Sequence, residues 1–161
     1  MTMDISQSVD QTDLAWSAEL MARSNPWDAL FFSVEQCAEK LSDKSLTLEI
    51  AYEGGTRVAF LATSANGVGS EPTIDYIAVV EERRSHGIGT ALIRHFESEL
   101  FPDEDNLYIF VSDINPRALN LYVSLGFQQV GALPNFNLMG QTEFLLRKSR
   151  RPRQEVFCQG A

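Results

Sequence analysis

The chain has few of the residues and segments that mark several large classes of protein. Only two of its 161 residues are cysteines, Cys37 and Cys158, and their wide separation fits neither a disulfide framework nor a metal-ligand spacing. No segment approaches the ~20 consecutive apolar residues that a membrane helix needs. The first sixteen residues contain no basic group and no apolar run, so we expect no secretory signal. These absences predict a cytoplasmic protein with free thiols, no bound metal and no membrane span.

Basic residues are also scarce, and they are unevenly distributed. The chain contains 13 lysines and arginines against 22 aspartates and glutamates, which gives a net charge of −9. Because phosphate groups repel an acidic surface, a nucleic-acid partner is not expected. Residues 147–161 hold five basic residues and one acidic residue, so residues 1–146, with eight basic and 21 acidic residues, carry −13. The acidic body would attract a cationic acceptor, and residues 149–161 are predicted to form a flexible basic tail.

The rest of the chain, residues 1–148, is predicted to form a single domain. Hydrophobic residues make up 44% of the sequence and charged residues 22%, which is enough for one core, and no repeat or linker divides the chain. The pattern predicts a first helix over residues 12–23. Ser33 and Gln36 have the spacing of a capping box, which predicts a second helix that ends near Leu41.

Four strands are predicted in the middle of the chain. Apolar and polar residues alternate over 46–52, and residues 57–62 return after a Gly-Gly turn as the second arm of a hairpin. Residues 74–80 and 107–111 are nearly continuous apolar runs. Such runs are typical of strands that are covered on both faces.

A helical pattern follows each of these two apolar strands, over residues 88–100 and 118–125. Strand, helix, strand and helix in this order predict two parallel strands joined by a right-handed crossover. Further strands are expected at 127–133 and 142–148. The sequence therefore predicts an α/β fold with a mixed sheet, parallel at its centre and antiparallel at its flanks, and with helices packed beside it.

The segment EERRSHGIGT, residues 81–90, lies between an apolar strand and the start of a helix. Gly87 and Gly89 expose the backbone to a ligand, and a helix N-terminus carries a partial positive charge, so this turn should bind phosphate or pyrophosphate. Arg84 and its neighbour add positive charge. The segment does not match a P-loop, and a dinucleotide fingerprint fails because Leu92 occupies its sixth position.

Two motifs together resemble the GCN5-related N-acetyltransferase (GNAT) family. RSHGIG, residues 84–89, resembles the pyrophosphate loop of that family. INPRALNLYVSLGF, residues 114–127, resembles its second conserved block, and the close match spans residues 73–133. The resemblance implies the GNAT acyl-CoA N-acyltransferase fold, in which the two central parallel strands splay apart. The second block has the residue types of the family at five positions: Asn115, Ala118, Tyr122, Gly126 and Phe127.

The resemblance also implies acetyl-CoA as cosubstrate, with no metal. In the family's arrangement the strand backbone at Ile77, Ala78 and Val79 pairs with the pantetheine arm, and Asn115 helps to position that arm. The pyrophosphate would be held by the glycine loop: Arg84, Ser85, His86, Gly87, Ile88, Gly89 and Thr90.

For the reaction, the resemblance implies direct attack of a primary amine on the thioester. The tetrahedral oxyanion would be stabilised by a backbone N–H near Val79. Tyr122 would protonate the departing thiolate as general acid. From its position alone, on the apolar face of a predicted helix, Tyr122 also fits an ordinary core residue. A non-catalytic module that senses acyl-CoA is the alternative function.

The general base and the acceptor stay open at this stage. Asp75 and Glu143 are the two candidate bases, Glu71 is a third, and a water chain is the alternative. Acetyltransferases that act on ribosomal-protein N-termini often place a glutamate where this chain has Phe110. A protein N-terminal amine is nevertheless one candidate acceptor, because Pro26 with the next residue, and the segment GQTE, are similar to N-terminal acetyltransferases. A small amine or antibiotic is the other candidate. Dimers are common in the family, so a homodimer is a further expectation.

Overall fold

The computed structural model describes residues 2–151, which contain four α-helices and seven strands. The predicted tail beyond Arg151 lies outside these residues. Short 3₁₀ turns cover Val68–Ser70 and Glu81–Arg83. In chain order the elements are β1 (Met3–Ser8), α1 (Gln11–Ala22), α2 (Val34–Leu41), β2 (Leu46–Glu53), β3 (Thr56–Ser64), β4 (Thr73–Val79), α3 (Ile88–His95), β5 (Asn106–Ser112), α4 (Pro116–Ser124), β6 (Gln128–Pro134) and β7 (Thr142–Ser149).

The strands of residues 2–151 form one mixed sheet in the order β1-β2-β3-β4-β5-β7-β6. Every neighbouring pair is antiparallel except β4 and β5, which are parallel. These two strands pair only at their beginning, through Thr73 with Tyr108 and Ile74 with Ile109. Beyond Ile74 they separate, which leaves a gap in the middle of the sheet. The predicted α/β fold with two splayed central parallel strands is confirmed.

Two apolar layers cover the two faces of the sheet. In one layer, Leu92 and Ile93 of α3 and Phe127 after α4 pack against the sheet. In the other, Leu20 of α1 and Cys37 of α2 pack against its opposite face. The first layer includes Ile74 of β4 and Ile109 of β5, so it covers both strands that border the gap, while the second layer covers β2, β3 and β4.

The helices begin where the sequence supplies capping groups. Asp10 accepts a hydrogen bond from the N–H of Thr12 at 2.7 Å, which begins α1. The predicted capping box of Ser33 and Gln36 is present at the start of α2. Asn115 caps α4. The helix predicted over 88–100 changes after α3 into a π-helix at Phe96–Leu100, so its last turn is wider than the pattern suggests.

The strand β1 is the element that the sequence pattern does not predict. Its segment, MDISQS, is polar at most positions and lies at the edge of the sheet, where it pairs with β2 from Met3 opposite Glu53 to Ser8 opposite Leu48. Pairing with a strand that is distant in the sequence, rather than local hydrophobic periodicity, determines this element. None of the described helices is long and apolar enough to cross a membrane.

Candidate active site

The gap between β4 and β5 opens into two cavities in the described part of the chain. One has a volume of about 530 Å³ and lies beside the glycine loop, and we call it the glycine-loop cavity. The other has a volume of about 230 Å³ and is lined by several aromatic side chains, and we call it the aromatic cavity. Ile77, Asn115 and Tyr122 line both cavities. These three residues therefore mark the place where the cavities meet.

The glycine loop forms one wall of the glycine-loop cavity. Gly87 is the N-cap of α3 and has a φ of 81°, in the left-handed region that favours glycine. Gly89 lies against α4, where an added Cβ would come within 3.3 Å of Leu121 Cδ2. The two glycines thus allow the turn into α3 and its close packing against α4. The amide groups at this helix N-terminus remain uncovered by side chains.

All but one of the predicted cofactor-binding residues line this cavity. His86 is the exception: its Nδ1 lies 2.8 Å from the carbonyl oxygen of Arg84, and the ring is exposed outside the lining. The other ten are brought together by β4, the glycine loop and the start of α4: Ile77, Ala78, Val79, Arg84, Ser85, Gly87, Ile88, Gly89, Thr90 and Asn115.

Arginines supply positive charge to the same cavity. Arg83 forms an ion pair with Glu53 at 2.5 Å, and Arg84 donates a hydrogen bond from Nε to the backbone of β4 at 3.2 Å. Arg117, which the sequence did not single out, donates from Nη2 to Ser85 Oγ at 2.6 Å. Arg117 lies in the first turn of α4, so it reaches the glycine loop from the opposite wall. In the sequence, the signal for this contact is a basic residue directly after Pro116, at the start of the predicted helix.

The exposed edge of β4 presents a backbone donor to the gap. The N–H of Val80 donates to the carbonyl oxygen of Val58 on β3 at 2.9 Å. Successive N–H groups of a strand point in opposite directions, so the N–H of Val79 points away from β3 and towards the gap. The carbonyl oxygen of Val79 accepts the hydrogen bond of Arg84. This orientation agrees with the role that the sequence predicts for the N–H near Val79.

Asn115 joins two segments that border both cavities. Its Oδ1 accepts from the N–H of Ala118 at 3.3 Å, and its Nδ2 donates to the carbonyl oxygen of Asn25 at 3.5 Å. Asn25 in turn donates from Nδ2 to the carbonyl oxygen of Ile114 at 3.3 Å. Asn115 therefore fixes the turn before α4 against the loop that follows α1.

Tyr122 is buried, with 6% of its surface exposed, and belongs to the core between α4 and the sheet. Its hydroxyl makes no hydrogen bond to another residue between positions 2 and 151, although the side chain lines both cavities. Burial, and then the negative charge of Glu143, raise the pKa of the phenol. The hydroxyl is therefore protonated at neutral pH and available as a donor.

The aromatic cavity combines apolar walls with charged groups. Trp27 and Tyr76 meet edge to face with their ring centres 6.2 Å apart, and Phe110 stacks on Phe136 at 6.4 Å. These pairs form two sides of the cavity. Its charged residues come from three different elements: Lys40 of α2, Asp75 of β4 and Glu143 of β7.

Asp75 reaches the aromatic cavity because β4 contains a bulge. Ala62 pairs with Tyr76 and Thr63 pairs with Ile74, so Asp75 is the extra residue that lies between two pairs. Its carboxylate accepts a hydrogen bond from Ser64 Oγ at 2.8 Å. Burial raises the pKa of this carboxyl group.

Glu143 lies at the other side of the cavity. Its Oε2 accepts from Gln141 Nε2 at 2.9 Å and from Asn137 Nδ2 at 3.5 Å. Burial raises the pKa of Glu143, the bond from Gln141 opposes this rise, and the charge of Asp113 adds to it. Glu71, the third candidate base, is buried before β4 and lines neither cavity.

No group of three or more histidine, cysteine, aspartate or glutamate side chains within residues 2–151 is arranged to hold a metal ion.

Comparison with known proteins agrees with this geometry. Residues 10–127 match the model of the Acetyltransferase (GNAT) family. The ribosomal protein bS18-alanine N-acetyltransferase of Escherichia coli K12 is 31% identical over 137 residues, which cover 83% of this chain and 87% of that protein. The crystal structure of the ribosomal-protein-S18-alanine N-acetyltransferase from Escherichia coli has a TM-score of 0.74 at 22% identity, over 97% of this chain and all of that one. An aminoglycoside 6′-N-acetyltransferase complexed with coenzyme A has a TM-score of 0.75 at 16% identity, over 96% of this chain and all of that one.

The fold, the glycine loop and the family match together define the class of protein. The chain belongs to the GNAT family. It is an acetyl-CoA-dependent N-acetyltransferase, as the two sequence motifs predict, and so an enzyme rather than a sensor module. The resemblance to the acetyltransferases of ribosomal proteins is also confirmed.

Proposed function

We propose that this enzyme acetylates the N-terminal α-amine of a protein or peptide, with Glu143 as the general base and Tyr122 as the general acid. The observation that carries the proposal is that Tyr122 lines both cavities, with Glu143 on the side of the aromatic cavity. A thioester bound through the glycine-loop cavity and an amine bound in the aromatic cavity would meet at this residue.

The residues of the glycine-loop cavity fit acetyl-CoA. The helix N-terminus at Gly87, with Arg84 and Arg117 beside it, is suited to the diphosphate. The unpaired edge of β4 offers backbone partners to the pantetheine amides, as an added strand would. Acetyl-CoA supplies the acetyl group as a thioester, and the chain supplies its position beside Tyr122.

The size and lining of the aromatic cavity favour one amino-acid residue as the acceptor. Its volume of about 230 Å³ is below the ~300–1,000 Å³ of pockets that enclose drug-sized molecules. Aromatic walls suit the side chain of a first residue, and the two carboxylates, Asp75 and Glu143, suit the positive charge of its ammonium group. The names of the similar Escherichia coli proteins, which specify an alanine of a ribosomal protein, support the same acceptor class.

The proton chemistry also favours an α-amine. An α-ammonium group has a pKa of about 7.7–8.0, against about 10.4 for lysine, so a carboxylate can deprotonate it with less free energy. Glu143 takes this proton, and the amine nitrogen forms the C–N bond. The N–H of Val79 stabilises the oxyanion. As the C–S bond breaks, Tyr122 gives its proton to the sulfur. The second proton that the nitrogen loses on becoming an amide restores the phenol of Tyr122, and Glu143 releases its proton to solvent. Burial weakens Tyr122 as an acid because it raises the pKa of the phenol, and it opposes this effect by raising the basicity of a thiolate buried at the same position.

The acceptor is tested by measuring the release of free coenzyme A from acetyl-CoA. We expect release with a peptide that has a free N-terminal alanine. We expect none with the same peptide when its N-terminus is blocked and it retains one lysine, and little with an aminoglycoside. Faster release with the blocked peptide or with the aminoglycoside would show that the α-amine is not the acceptor.

The base is tested by a matched pair of variants, Glu143→Gln and Asp75→Asn, each of which replaces one carboxylate of the aromatic cavity by an amide. We expect Glu143→Gln to lower kcat by about 10²-fold or more, since general-base catalysis contributes factors of this size. Asp75→Asn should retain at least about tenfold more activity than Glu143→Gln. The opposite order of the two kcat values would assign the base to Asp75.

A further inference from the structure

Gln141 is a buried polar side chain, 5% exposed, in the turn immediately before β7. Its Nε2 donates to Glu143 Oε2 at 2.9 Å and to Ser112 Oγ at 3.0 Å. Its Oε1 accepts from the backbone N–H of Asn137 at 3.1 Å. One amide group therefore connects the end of β5, the turn between β6 and β7, and the carboxylate of the aromatic cavity.

The orientation of this amide is determined by its neighbours. The carboxylate of Glu143 can only accept hydrogen bonds, so the NH₂ group of Gln141 must face it. The backbone N–H of Asn137 can only donate, so the oxygen of Gln141 must face that group. A flipped amide would place an oxygen against the carboxylate and an NH₂ group against an N–H. The network therefore has one arrangement.

The network holds one oxygen of Glu143 and leaves the other for a substrate. Both hydrogen bonds of this carboxylate, from Gln141 and Asn137, go to Oε2. Oε1 has no hydrogen-bond partner among residues 2–151, and the side chain lines the aromatic cavity. An amine in that cavity would thus find a carboxylate whose second oxygen is fixed in place.

We propose that Gln141 is a positioning residue, which holds Glu143 by Oε2 so that Oε1 receives the proton of the acceptor amine. The inference rests on the proposed function, because it assigns to Gln141 a task only if Glu143 is the base. Gln141 itself touches neither of the reacting groups.

The pKa of Glu143 depends on the charged groups around it and on the hydrogen bond from Gln141. The charge of Asp113, after β5, raises the pKa of Glu143, and Asp75 and the neutral phenol of Tyr122 line the same cavity. Lys40 is the cation that lines the same cavity. Against these groups the hydrogen bond from Gln141 lowers the pKa of the carboxyl group. Removal of the bond must raise that pKa, because it takes a donor away from the charged form only.

The test is the variant Gln141→Met, which keeps the length of the side chain without the amide, with Gln128→Met on the exposed face of β6 as the matched control. The pKa of Glu143 is measured by ¹³C NMR titration of its carboxyl group, assigned by the loss of that signal in Glu143→Gln. We expect the pKa to rise by about one pH unit in Gln141→Met, as the loss of a hydrogen bond to a charged group implies. The control should titrate like the wild type.

Kinetics supply the second measurement, with acetyl-CoA and the peptide that has a free N-terminal alanine. The acid limb of the kcat profile should move to higher pH in Gln141→Met by the same amount as the pKa of Glu143. The Kd of acetyl-CoA should not change, because the glycine-loop cavity does not include Gln141. A residue with a purely structural role would lower stability without moving the acid limb.

The outcomes separate the inference from the proposed function. If Glu143→Gln is inactive while Gln141→Met titrates and reacts like the wild type, the positioning role of Gln141 is overturned and the base stands. If Glu143→Gln keeps the wild-type kcat, both are overturned. If Gln141→Met fails to bind acetyl-CoA and so has not folded, Gln141→Asn replaces it. Its amide is one methylene too short to hold Glu143, and the same rise in pKa is expected.

Discussion

Tyr122 belongs to the core and also lines both cavities. Its side chain is buried between α4 and the sheet, and its hydroxyl has no hydrogen-bond partner among residues 2–151. A buried tyrosine in an ordinary core normally bonds its hydroxyl to a neighbour. The absence of such a bond here leaves the proton free for transfer to a substrate.

At the residue scale we therefore predict that Tyr122→Phe lowers kcat by about 10²–10⁴-fold and leaves the Kd of acetyl-CoA and the melting temperature nearly unchanged. The ring is retained, and the lost hydroxyl has no bond in the fold. Tyr108→Phe on β5, outside both cavities, is the matched control and should keep its kcat. A Tyr122→Phe variant with wild-type turnover would remove the general acid from the mechanism.

At this scale the sequence predicts the residues that lie inside motifs and leaves the others open. Tyr122 and the glycine loop follow from the two motifs that resemble the GNAT family. The sequence could not rank Asp75 and Glu143 as general bases, because a bulge in β4 determines how Asp75 reaches the cavity. No short sequence pattern predicts that bulge. Gln141 becomes visible only when its partner Ser112 from another element is in place, and the contact of Arg117 with Ser85 likewise appears only in the structure.

At the scale of the element, the start of α3 depends on backbone conformation. Gly87 has a φ of 81°, and an added Cβ would have no atom within 4 Å, so a substitution there acts through the backbone alone. The left-handed conformation costs a residue with a side chain about 1–2 kcal/mol. A loop that relaxes from this conformation would turn its amide groups away from the position that we propose for the diphosphate.

We predict that Gly87→Ala raises the Kd of acetyl-CoA by about tenfold, which corresponds to ~1.4 kcal/mol of binding free energy. Gly55→Ala is the matched control: it has a φ of 78°, equally open space, and a position in the turn between β2 and β3. Calorimetry should show wild-type affinity for Gly55→Ala, while both variants lose similar stability. Equal affinities for the two variants would contradict the role of the loop.

The elements themselves were predictable where local chemistry determines them. The capping box of α2 and the apolar runs of β4 and β5 are determined by residues that are neighbours in the sequence. In contrast, β1 forms because β2 offers it an edge, and the π-helix forms at the end of α3, where the sequence pattern continues as for an ordinary helix. The pairing of β1 with a distant strand cannot be read from local periodicity, and the apolar spacing of 88–100 does not distinguish a π-helix from an α-helix.

At the scale of the whole molecule, Arg150 ties the end of the sheet to the connection before β5. Its guanidinium donates to the carbonyl oxygens of Phe101 at 2.8 Å, Pro102 at 3.0 Å and Glu104 at 3.1 Å, and also to that of Glu97. These carbonyls follow or belong to the π-helix, where backbone acceptors lack helical partners. One side chain thus closes that turn.

We predict that Arg150→Ala lowers the free energy of unfolding by about 1 kcal/mol, because exposed hydrogen bonds of a charged group contribute less than buried ones. Arg147→Ala is the control, since Arg147 is exposed on β7 and its side chain has no hydrogen bond to residues 2–151. Chemical denaturation of both variants measures the difference. Equal stabilities would show that the turn is closed without Arg150.

Only two residue pairs join β4 to β5, so the sheet consists of two halves with a narrow connection, one ending at β4 and the other beginning at β5. A ligand lodged in the gap would act as the missing strand, so loading the enzyme should also brace it. We predict that acetyl-CoA at about 100 times its Kd adds ~2.7 kcal/mol to the free energy of unfolding. It should also slow amide hydrogen exchange at Ile77 and Val79. Adenosine diphosphate, which has no pantetheine, should leave that exchange fast. Equal protection by both ligands would show that the two halves of the sheet are stabilised without pantetheine between β4 and β5.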